Sequence, residues 1–295
     1  MGKHAYLIIA NRNPNQLKLL LKTLDDSRND IYLLLDKKSK NIFQDKYLLN
    51  FSPVYMIKPI NIYWGDYSQI QAELNLFSAA CNKNYDYYHL LSGLDLPLVN
   101  QDIIHNFFDK NPNKEFITYS VALTPKQLQM RIHNHHFTKS FRSNNKVLKA
   151  YHKIENKVYS VIPERKIPIE KIKFGSNWVS LENNIVNDLV KNMNEIKSLY
   201  FKGYLVDEIF IPTFINLHPS YKEKIYYKKP VHDKPEEFQG NLRYINWWDG
   251  SPYVWTINDY SKLEKAVKMG HLFSRKFDEN VDNKIIYKIV EQDLR

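Results

Sequence analysis

The chain has 295 residues, 43% of them hydrophobic, which is enough to build one large α/β domain or two small ones. Its net charge of +10, with neutral histidines, favours an anionic partner: a nucleotide, a nucleic acid or an acidic membrane surface. A single cysteine excludes an internal disulfide and a cysteine-based zinc cluster, and no apolar run is long enough for a membrane span or a signal peptide, so we expect a cytoplasmic protein.

The first third of the chain alternates predicted strands and helices. Residues 5–10 (AYLIIA) and 31–35 (IYLLL) are short apolar runs typical of buried strands, and the leucines between them predict a helix that begins near Pro14. Residues 54–57 and 87–92 predict two further strands. This order predicts a parallel sheet, whose ligands bind beyond the carboxyl ends of the strands.

Two acidic residues follow predicted strands. Asp36 ends the second strand, and Asp95 follows residues 87–92, close to Gly93. The carboxylate of Asp36 can accept a hydrogen bond from a uracil N–H or a ribose hydroxyl, or it can be an ordinary acid of a surface turn. Trp64 either lines a pocket or packs against its neighbours. No glycine-rich loop follows the first strand, which excludes a dinucleotide fingerprint and a Walker-type phosphate loop.

The middle of the chain is basic. Residues 116–119 (FITY) predict another strand, and residues 126–142 then concentrate Lys, Arg and His. The HNHH sequence at 133–136 is a weak metal motif because no fourth ligand has a defined spacing. We interpret residues 126–142 as a basic lid or acceptor-facing arm, followed by a helix and a loop over residues 146–173.

The central feature of the second half is residues 200–214 (YFKGYLVDEIFIPTF), where Asp207 and Glu208 interrupt an apolar and aromatic run. Charged carboxylates are costly to bury, so these side chains must be solvated, paired or held for chemistry, and Glu208 is our candidate general base. The alternative is structural: the two acids begin a helix near Val206, where negative side chains satisfy free N–H groups and favour the positive end of the helix dipole.

Arg275 and Lys276 form a cationic pair between Phe273 and Phe277. A fixed pair of this kind suits a diphosphate in a protein without a bound metal, although an isolated pair is more often simply solvated. The sequence contains no Asp-x-Asp, so the usual pair of carboxylates for Mn²⁺ or Mg²⁺ is missing.

Six short segments occur in a fixed order along the chain: 62–66 (IYWGD), 91–98 (LSGLDLPL), 175–178 (GSNW), 207–210 (DEIF), 242–247 (LRYINW) and 272–278 (LFSRKFD). Together they resemble the core-2/I-branching β-1,6-N-acetylglucosaminyltransferase and peptide O-xylosyltransferase family, glycosyltransferase family 14, over about residues 5–278. The chain resembles the shorter bacterial forms, which are expected to serve surface polysaccharide synthesis.

The resemblance implies an α/β fold of the GT-A type, with a Rossmann-like nucleotide-binding half and a central mixed sheet flanked by helices. It implies one domain over residues 1–295, with a nucleotide-sugar-binding half at 1–120 and an acceptor- and diphosphate-binding half at 121–295. It also implies a UDP-sugar donor, inversion at the anomeric carbon, and no metal or other cofactor.

The resemblance assigns roles by position. Glu208 matches the catalytic glutamate, and Arg275 and Lys276 match the pair that binds the leaving diphosphate. The other nucleotide-sugar-binding candidates are Asp36, Trp64, Asp95 and Arg243, and the acceptor-binding candidates are Trp178 and Trp247. A further family arginine on the diphosphate has no clear match in residues 249–252, and Arg243 either covers that role or positions Trp247.

Two functions remain open at this point. The first is a UDP-sugar glycosyltransferase that acts on a glycan or lipid-linked glycan at the inner face of the plasma membrane, where positive charge favours anionic lipid and no nucleic acid is bound. The second is a non-catalytic protein that binds nucleic acid or an anionic glycan through residues 126–142 and its 21 tyrosines.

Overall fold

The computed structural model describes residues 2–133, 146–159 and 167–293. Its strands are β1 (His4–Ala10), β2 (Asn29–Asp36), β3 (Val54–Ile60), β4 (Tyr87–Ser92), β5 (Leu96–Pro97), β6 (Ser180–Glu182), β7 (Arg243–Ile245) and β8 (Phe273–Arg275). Its α-helices are α1 (Pro14–Thr23), α2 (Ser68–Ala80), α3 (Gln101–Lys110), α4 (Pro125–His133), α5 (Lys146–Tyr159), α6 (Asn183–Lys191), α7 (Met193–Tyr200), α8 (Asp207–Leu217), α9 (Pro219–Glu223), α10 (Tyr260–Met269) and α11 (Asn283–Asp293). Short 3₁₀ helices cover Lys37–Ile42, Cys81–Lys83, Ile169–Lys171 and Ile257–Asp259.

The central sheet of the described residues has the order β3-β2-β1-β4-β6. Strands β1 to β4 are parallel, and β6 pairs antiparallel with β4. Helices flank this sheet, so the predicted α/β fold with a central mixed sheet is confirmed. The predicted division into halves at residue 120 stays a prediction.

The strands are apolar because both faces of the sheet are covered. Alternate residues of a strand point to opposite faces. Leu7 and Leu34 therefore pack with α2, α6 and α8 in one core, while Ile8 and Leu33 pack with α1, α3 and α11 in the other. Continuous burial explains why these strands have no polar alternation.

The strand order reverses between β1 and β4. Strands β2 and β3 lie on one side of β1, and β4 lies on the other. Such a switch point opens a crevice at the carboxyl ends of the two strands, where ligands of open α/β sheets bind.

The strand predicted over residues 116–119 does not form. Phe116 makes a single antiparallel bridge with Ser180, and Tyr119 makes another with Gly175. Between them the hydroxyl of Thr118 accepts a hydrogen bond from the backbone of Asn241. The prediction of a strand is wrong here because the hydrogen bonds of residues 116–119 go to different partners and form no continuous ladder.

A small second sheet, β5-β8-β7, is fastened to the central sheet through Arg243. This side chain is fully buried in β7. Its guanidinium donates to the hydroxyl of Ser180 at 2.7 Å, to the carbonyl of Val179 at 2.8 Å and to that of Leu90 at 3.4 Å. It also donates to the carbonyl of Asn241. Arg243 thereby joins β7 to β4 and to the start of β6.

Candidate active site

A cleft of about 210 Å³ opens beside the first turn of α8. Its lining combines carboxylate, guanidinium, hydroxyl, amide and indole groups, which is typical of a polar substrate site. The lining residues are Thr118, Ser120, Ala122, Arg131, Phe174, Gly175, Ser176, Glu208, Val231, Asp233, Gln239, Asn241, Ile245 and Trp247.

Asp207 and Glu208 occupy the first turn of α8, so the prediction of a helix that begins near Val206 is confirmed. The two acids differ in exposure. Asp207 is buried, whereas the side chain of Glu208 is 25% exposed and faces the cleft. The helical position therefore does not prevent Glu208 from meeting a substrate.

Arg131, from α4, pairs with Glu208. Its Nη1 lies 2.8 Å from Oε2 of Glu208 and also donates to the carbonyl of Leu205 at 3.4 Å. The guanidinium carbon lies 5.3 Å from the centre of the Phe174 ring, within cation–π range. The carboxylate is thus held against one wall of the cleft.

The acids of α8 are less acidic than free carboxyl groups. Burial raises the pKa of Glu208; Arg131 opposes this shift, and the negative charge of Asp233 adds to it. Burial, with the neighbouring charge of Glu208, raises the pKa of Asp207 to about 7. Since a general base works best when its pKa is near the working pH, a raised pKa suits Glu208 for proton transfer.

Gly175 fixes α8 against the cleft wall. Its backbone N–H donates to the carbonyl of Glu208 at 3.0 Å. A Cβ at this position would lie 1.8 Å from the carbonyl oxygen of Thr118, so no larger residue fits without a backbone shift. Steric fit therefore explains why the GSNW segment has a glycine at this position.

Asn177, from the same segment, is held by a buried acid. Its side-chain amide donates to Oε1 of Glu73 at 3.0 Å, and Glu73 lies fully buried on α2. Burial raises the pKa of Glu73, and the charge of Asp207 raises it further. These contacts set the position of the chain just before Trp178.

Arg275, Asp95 and Trp178 form a row at the end of β8. The guanidinium carbon of Arg275 lies 4.3 Å from the centre of the Trp178 ring, and Nε lies 3.3 Å from Oδ1 of Asp95. Asp95 is fully buried and accepts hydrogen bonds from the backbone and the hydroxyl of Ser92. The structure thus places Asp95 beneath Arg275, where it orients the cation.

Asp36 and Trp64 lie at the neighbouring strand ends. Asp36 accepts hydrogen bonds from the backbone of Lys38 at 3.0 Å and of Ile62 at 3.3 Å, and its Oδ2 lies 2.9 Å from Nζ of Lys38. Trp64 is partly exposed and packs edge-on against Tyr204. Neither residue lines the cleft.

The predicted site residues therefore fall into four places. Glu208 and Trp247 line the cleft. Asn241 of the cleft lining donates to the carbonyl of Trp178 at 2.9 Å, so the row of Arg275, Asp95 and Trp178 lies next to the cleft. Lys276 follows Arg275 directly, while Asp36 and Trp64 lie further along the sheet edge. Arg243 is buried between the sheets. No specific sequence pattern indicates Arg131 or Asp233, which lie in a basic segment and a charged loop.

No group of three or more His, Cys, Asp and Glu side chains in the described part of the chain is arranged to hold a metal ion. Residues 134–142 of the predicted basic arm, with most of the HNHH sequence, lie outside the described residues. Among the helices that the structure describes, none is long and apolar enough to cross a membrane.

The family model "Branch: Core-2/I-Branching enzyme" matches residues 4–265. Xylosyltransferase 2 of Rattus norvegicus is 21% identical over 304 residues, and a xylosyltransferase of Ciona intestinalis is 22% identical over 309. Both alignments cover 95% of this chain and 32% of the relative, so the chain spans about a third of the length of these relatives. Among solved structures, the apo form of mouse xyloside xylosyltransferase 1 matches with a TM-score of 0.39 and 14% identity, over 92% of this chain and 96% of that one.

Proposed function

The chain belongs to the Core-2/I-branching enzyme family, and from that premise we propose that it is an inverting glycosyltransferase that moves a sugar from a UDP-sugar to a hydroxyl of a glycan acceptor. The observation that carries the proposal is the placement of Glu208. Its carboxylate faces the cleft, and Asn241 of the same lining donates at 2.9 Å to the carbonyl of Trp178, whose ring packs against Arg275. A base and a cation for a leaving group are thus close together.

The reaction is a single in-line displacement. Glu208 removes the proton of the acceptor hydroxyl as that oxygen bonds to the anomeric carbon, and the bond from this carbon to the diphosphate oxygen breaks. General base catalysis contributes about 10²- to 10⁴-fold to the rate. Arg275 and Lys276 stabilise the negative charge that develops on the departing UDP, since preplaced cations need little reorganisation.

The acceptor sugar approaches Trp247. This side chain lines the cleft and is 37% exposed, so its ring offers an apolar face against which a sugar ring can stack. Trp178, the other acceptor-binding candidate, packs its ring against Arg275 and therefore lies where the acceptor side meets the diphosphate. The donor sugar is N-acetylglucosamine or another hexose or pentose; xylose enters this set because the curated relatives are named xylosyltransferases.

We expect the enzyme to need no metal ion, since the sequence lacks Asp-x-Asp and fixed cations are available for the diphosphate. Calorimetry with UDP in the presence and absence of EDTA tests this expectation. Binding that is unaffected by EDTA and lost in Lys276→Ala supports it. Binding that requires Mn²⁺ or Mg²⁺ contradicts metal independence.

A screen of sugar nucleotides for hydrolysis and for thermal stabilisation tests the function itself, because a ligand that binds the native state raises the unfolding temperature. Stabilisation by UDP and hydrolysis of one UDP-sugar would support the proposal and identify the donor. Salt-sensitive binding of oligonucleotides without any binding of UDP would favour a nucleic-acid-binding protein instead.

The cellular role that we propose is surface polysaccharide synthesis, in the cytoplasm at the inner face of the plasma membrane. Helix α5 supports a membrane contact: Lys149 and Lys153 are exposed together with Tyr151 and Ile154. A helix with basic and apolar exposed groups suits an anionic lipid surface. Co-sedimentation with anionic vesicles, but not with neutral ones, is expected; equal recovery with both would contradict the contact.

A further inference from the structure

Arg12 lies at the crevice between β1 and β4, outside the segments that carry the family resemblance. It follows β1 by two residues, at the carboxyl edge of the sheet. The backbone N–H of Gly93, after β4, donates to the carbonyl of Ile9 at 2.9 Å, and that of Phe277 donates to the carbonyl of Leu94 at 3.0 Å. Three chain segments therefore meet beside Arg12.

The position of Arg12 is fixed by the segment that follows Lys276. Its Nη2 lies 3.1 Å from Oδ2 of Asp278, and the side-chain amide of Asn13 donates to the other carboxylate oxygen at 2.8 Å. Gln16 donates to the carbonyl of Phe277 at 3.1 Å. These contacts tie the loop after β1 to the end of the Arg275 segment, so Arg12 is placed before any ligand binds.

Arg12 and Arg275 have guanidinium nitrogens without acceptors. Nε of Arg12 and Nη1 of Arg275 are buried and make no hydrogen bond among the residues that the structure describes, while Nε of Arg275 faces Oδ1 of Asp95 at 3.3 Å. Burial lowers the pKa of Arg275, Asp95 opposes this shift, and the positive charge of Arg12 adds to it. Buried charged donors without acceptors are costly, and two nearby cations repel each other. An anion that accepts from both would remove both penalties.

We propose that Arg12 is a further diphosphate-binding residue, which together with Arg275 holds the diphosphate of the donor at the crevice between β1 and β4. The inference rests on the proposed function and adds a cation to Arg275 and Lys276. Asp278 and Asp95 each orient one guanidinium, so both arginines keep donors for phosphate oxygens. The site suits the strand order, because the β1 end lies between Asp36 on β2 and the end of β4.

The first experiment measures UDP affinity by calorimetry in Arg12→Gln. The matched control is Lys22→Gln, which removes one positive charge from an exposed position of α1. If Arg12 donates to the diphosphate, Arg12→Gln weakens UDP binding at least about tenfold, the usual size of a lost charge-assisted hydrogen bond. The control stays within about twofold of wild type. An Arg12→Gln affinity equal to that of the control overturns the inference.

A second measurement needs no substitution and so applies even if Arg12→Gln does not fold. Arg12 is accessible enough for a reagent that modifies arginines, and peptide mapping after phenylglyoxal treatment of the wild-type protein measures its reaction rate. Saturating UDP should slow modification of Arg12 at least about fivefold, while uridine should not. Modification at the same rate with and without bound UDP overturns the inference. A wild-type protein that binds no UDP at all would instead refute the proposed function.

Discussion

Arg131 and Glu208 are 77 residues apart in the sequence, yet Nη1 of Arg131 lies 2.8 Å from Oε2 of Glu208. The ion pair occupies one carboxylate oxygen, so we expect the acceptor hydroxyl to approach Oε1. It also favours the ionised form of a carboxyl group whose pKa burial raises. This one contact thus orients the carboxylate of the proposed base and favours its deprotonated form.

The first prediction concerns Glu208→Gln. The amide keeps the size of the side chain but cannot accept the acceptor proton, so turnover should fall at least about a hundredfold. UDP affinity should stay within about threefold of wild type, because the diphosphate contacts are elsewhere. Steady-state kinetics and calorimetry measure the two effects. Glu236→Gln, at an exposed position, is the control; near-normal turnover in Glu208→Gln would remove Glu208 from its role.

The second prediction concerns pH. Arg131 opposes the upward shift of the Glu208 pKa, so Arg131→Gln should raise this pKa further. Because the base acts only when deprotonated, the acid limb of kcat/KM should move to higher pH. Activity is then lost more at low pH than at high pH. Arg131→Lys keeps the charge and should move the limb less; an unchanged limb in Arg131→Gln would contradict the proposed coupling.

The third prediction concerns Trp247. If its exposed ring stacks on the acceptor sugar, Trp247→Ala should raise the acceptor KM about tenfold, since stacking of this kind contributes about 1 kcal/mol or more. UDP affinity should not change, and Trp247→Phe should recover part of the loss. A variant with weaker UDP binding and an unchanged acceptor KM would place Trp247 on the donor side.

The fourth prediction concerns stability. Burial raises the pKa of Glu115 to about 8, although its Oε2 accepts a hydrogen bond from the backbone of Glu182 at 3.1 Å. The folded state therefore binds this proton more tightly than the unfolded chain, whose glutamate has a pKa of about 4.3. The contribution of this proton to the free energy of unfolding is complete below a pH of about 4.3, and it is lost as the pH rises to about 8.

Glu115→Gln removes this titration. It should leave stability little changed at pH 5 and increase it at pH 9, by an amount on the order of 2–4 kcal/mol. Urea unfolding at the two pH values measures the difference, and Glu170→Gln, at an exposed position, is the control. Equal effects of Glu115→Gln at both pH values would show that Glu115 does not titrate as described.

Much of the sheet could be predicted from the sequence because burial on both faces leaves a local signature. The runs at 5–10, 31–35 and 87–92 correspond to β1, β2 and β4. The run at 116–119 is also apolar, and Phe116 is buried against Phe108 of α3 and Tyr87 of β4. Its hydrogen-bonding partners are separate, however, because Phe116 pairs with Ser180 and Thr118 with Asn241. Local composition indicates burial there, but it does not indicate the hydrogen-bonding partner.

The site was only partly predictable for a related reason. Glu208 was evident because an acid within an apolar run is unusual at any single position. Arg131 and Asp233 lie in polar segments where a charge is ordinary, and their importance comes from the distant residue that each meets. Asp95 was predicted as a ligand contact, yet its burial beneath Arg275 depends on how β5 pairs with β8.

The buried side chain of Arg243 restricts motion between the two sheets. Its guanidinium is hydrogen bonded to Ser180 and Leu90 of the central sheet and to Val179, just before β6, while its backbone belongs to β7. A hinge motion between the two sheets would have to break these hydrogen bonds together. It would leave a buried charge without partners, which is costly. We therefore expect substrate entry and product release to depend on movement of loops at the rim, with the sheets remaining a rigid frame throughout turnover.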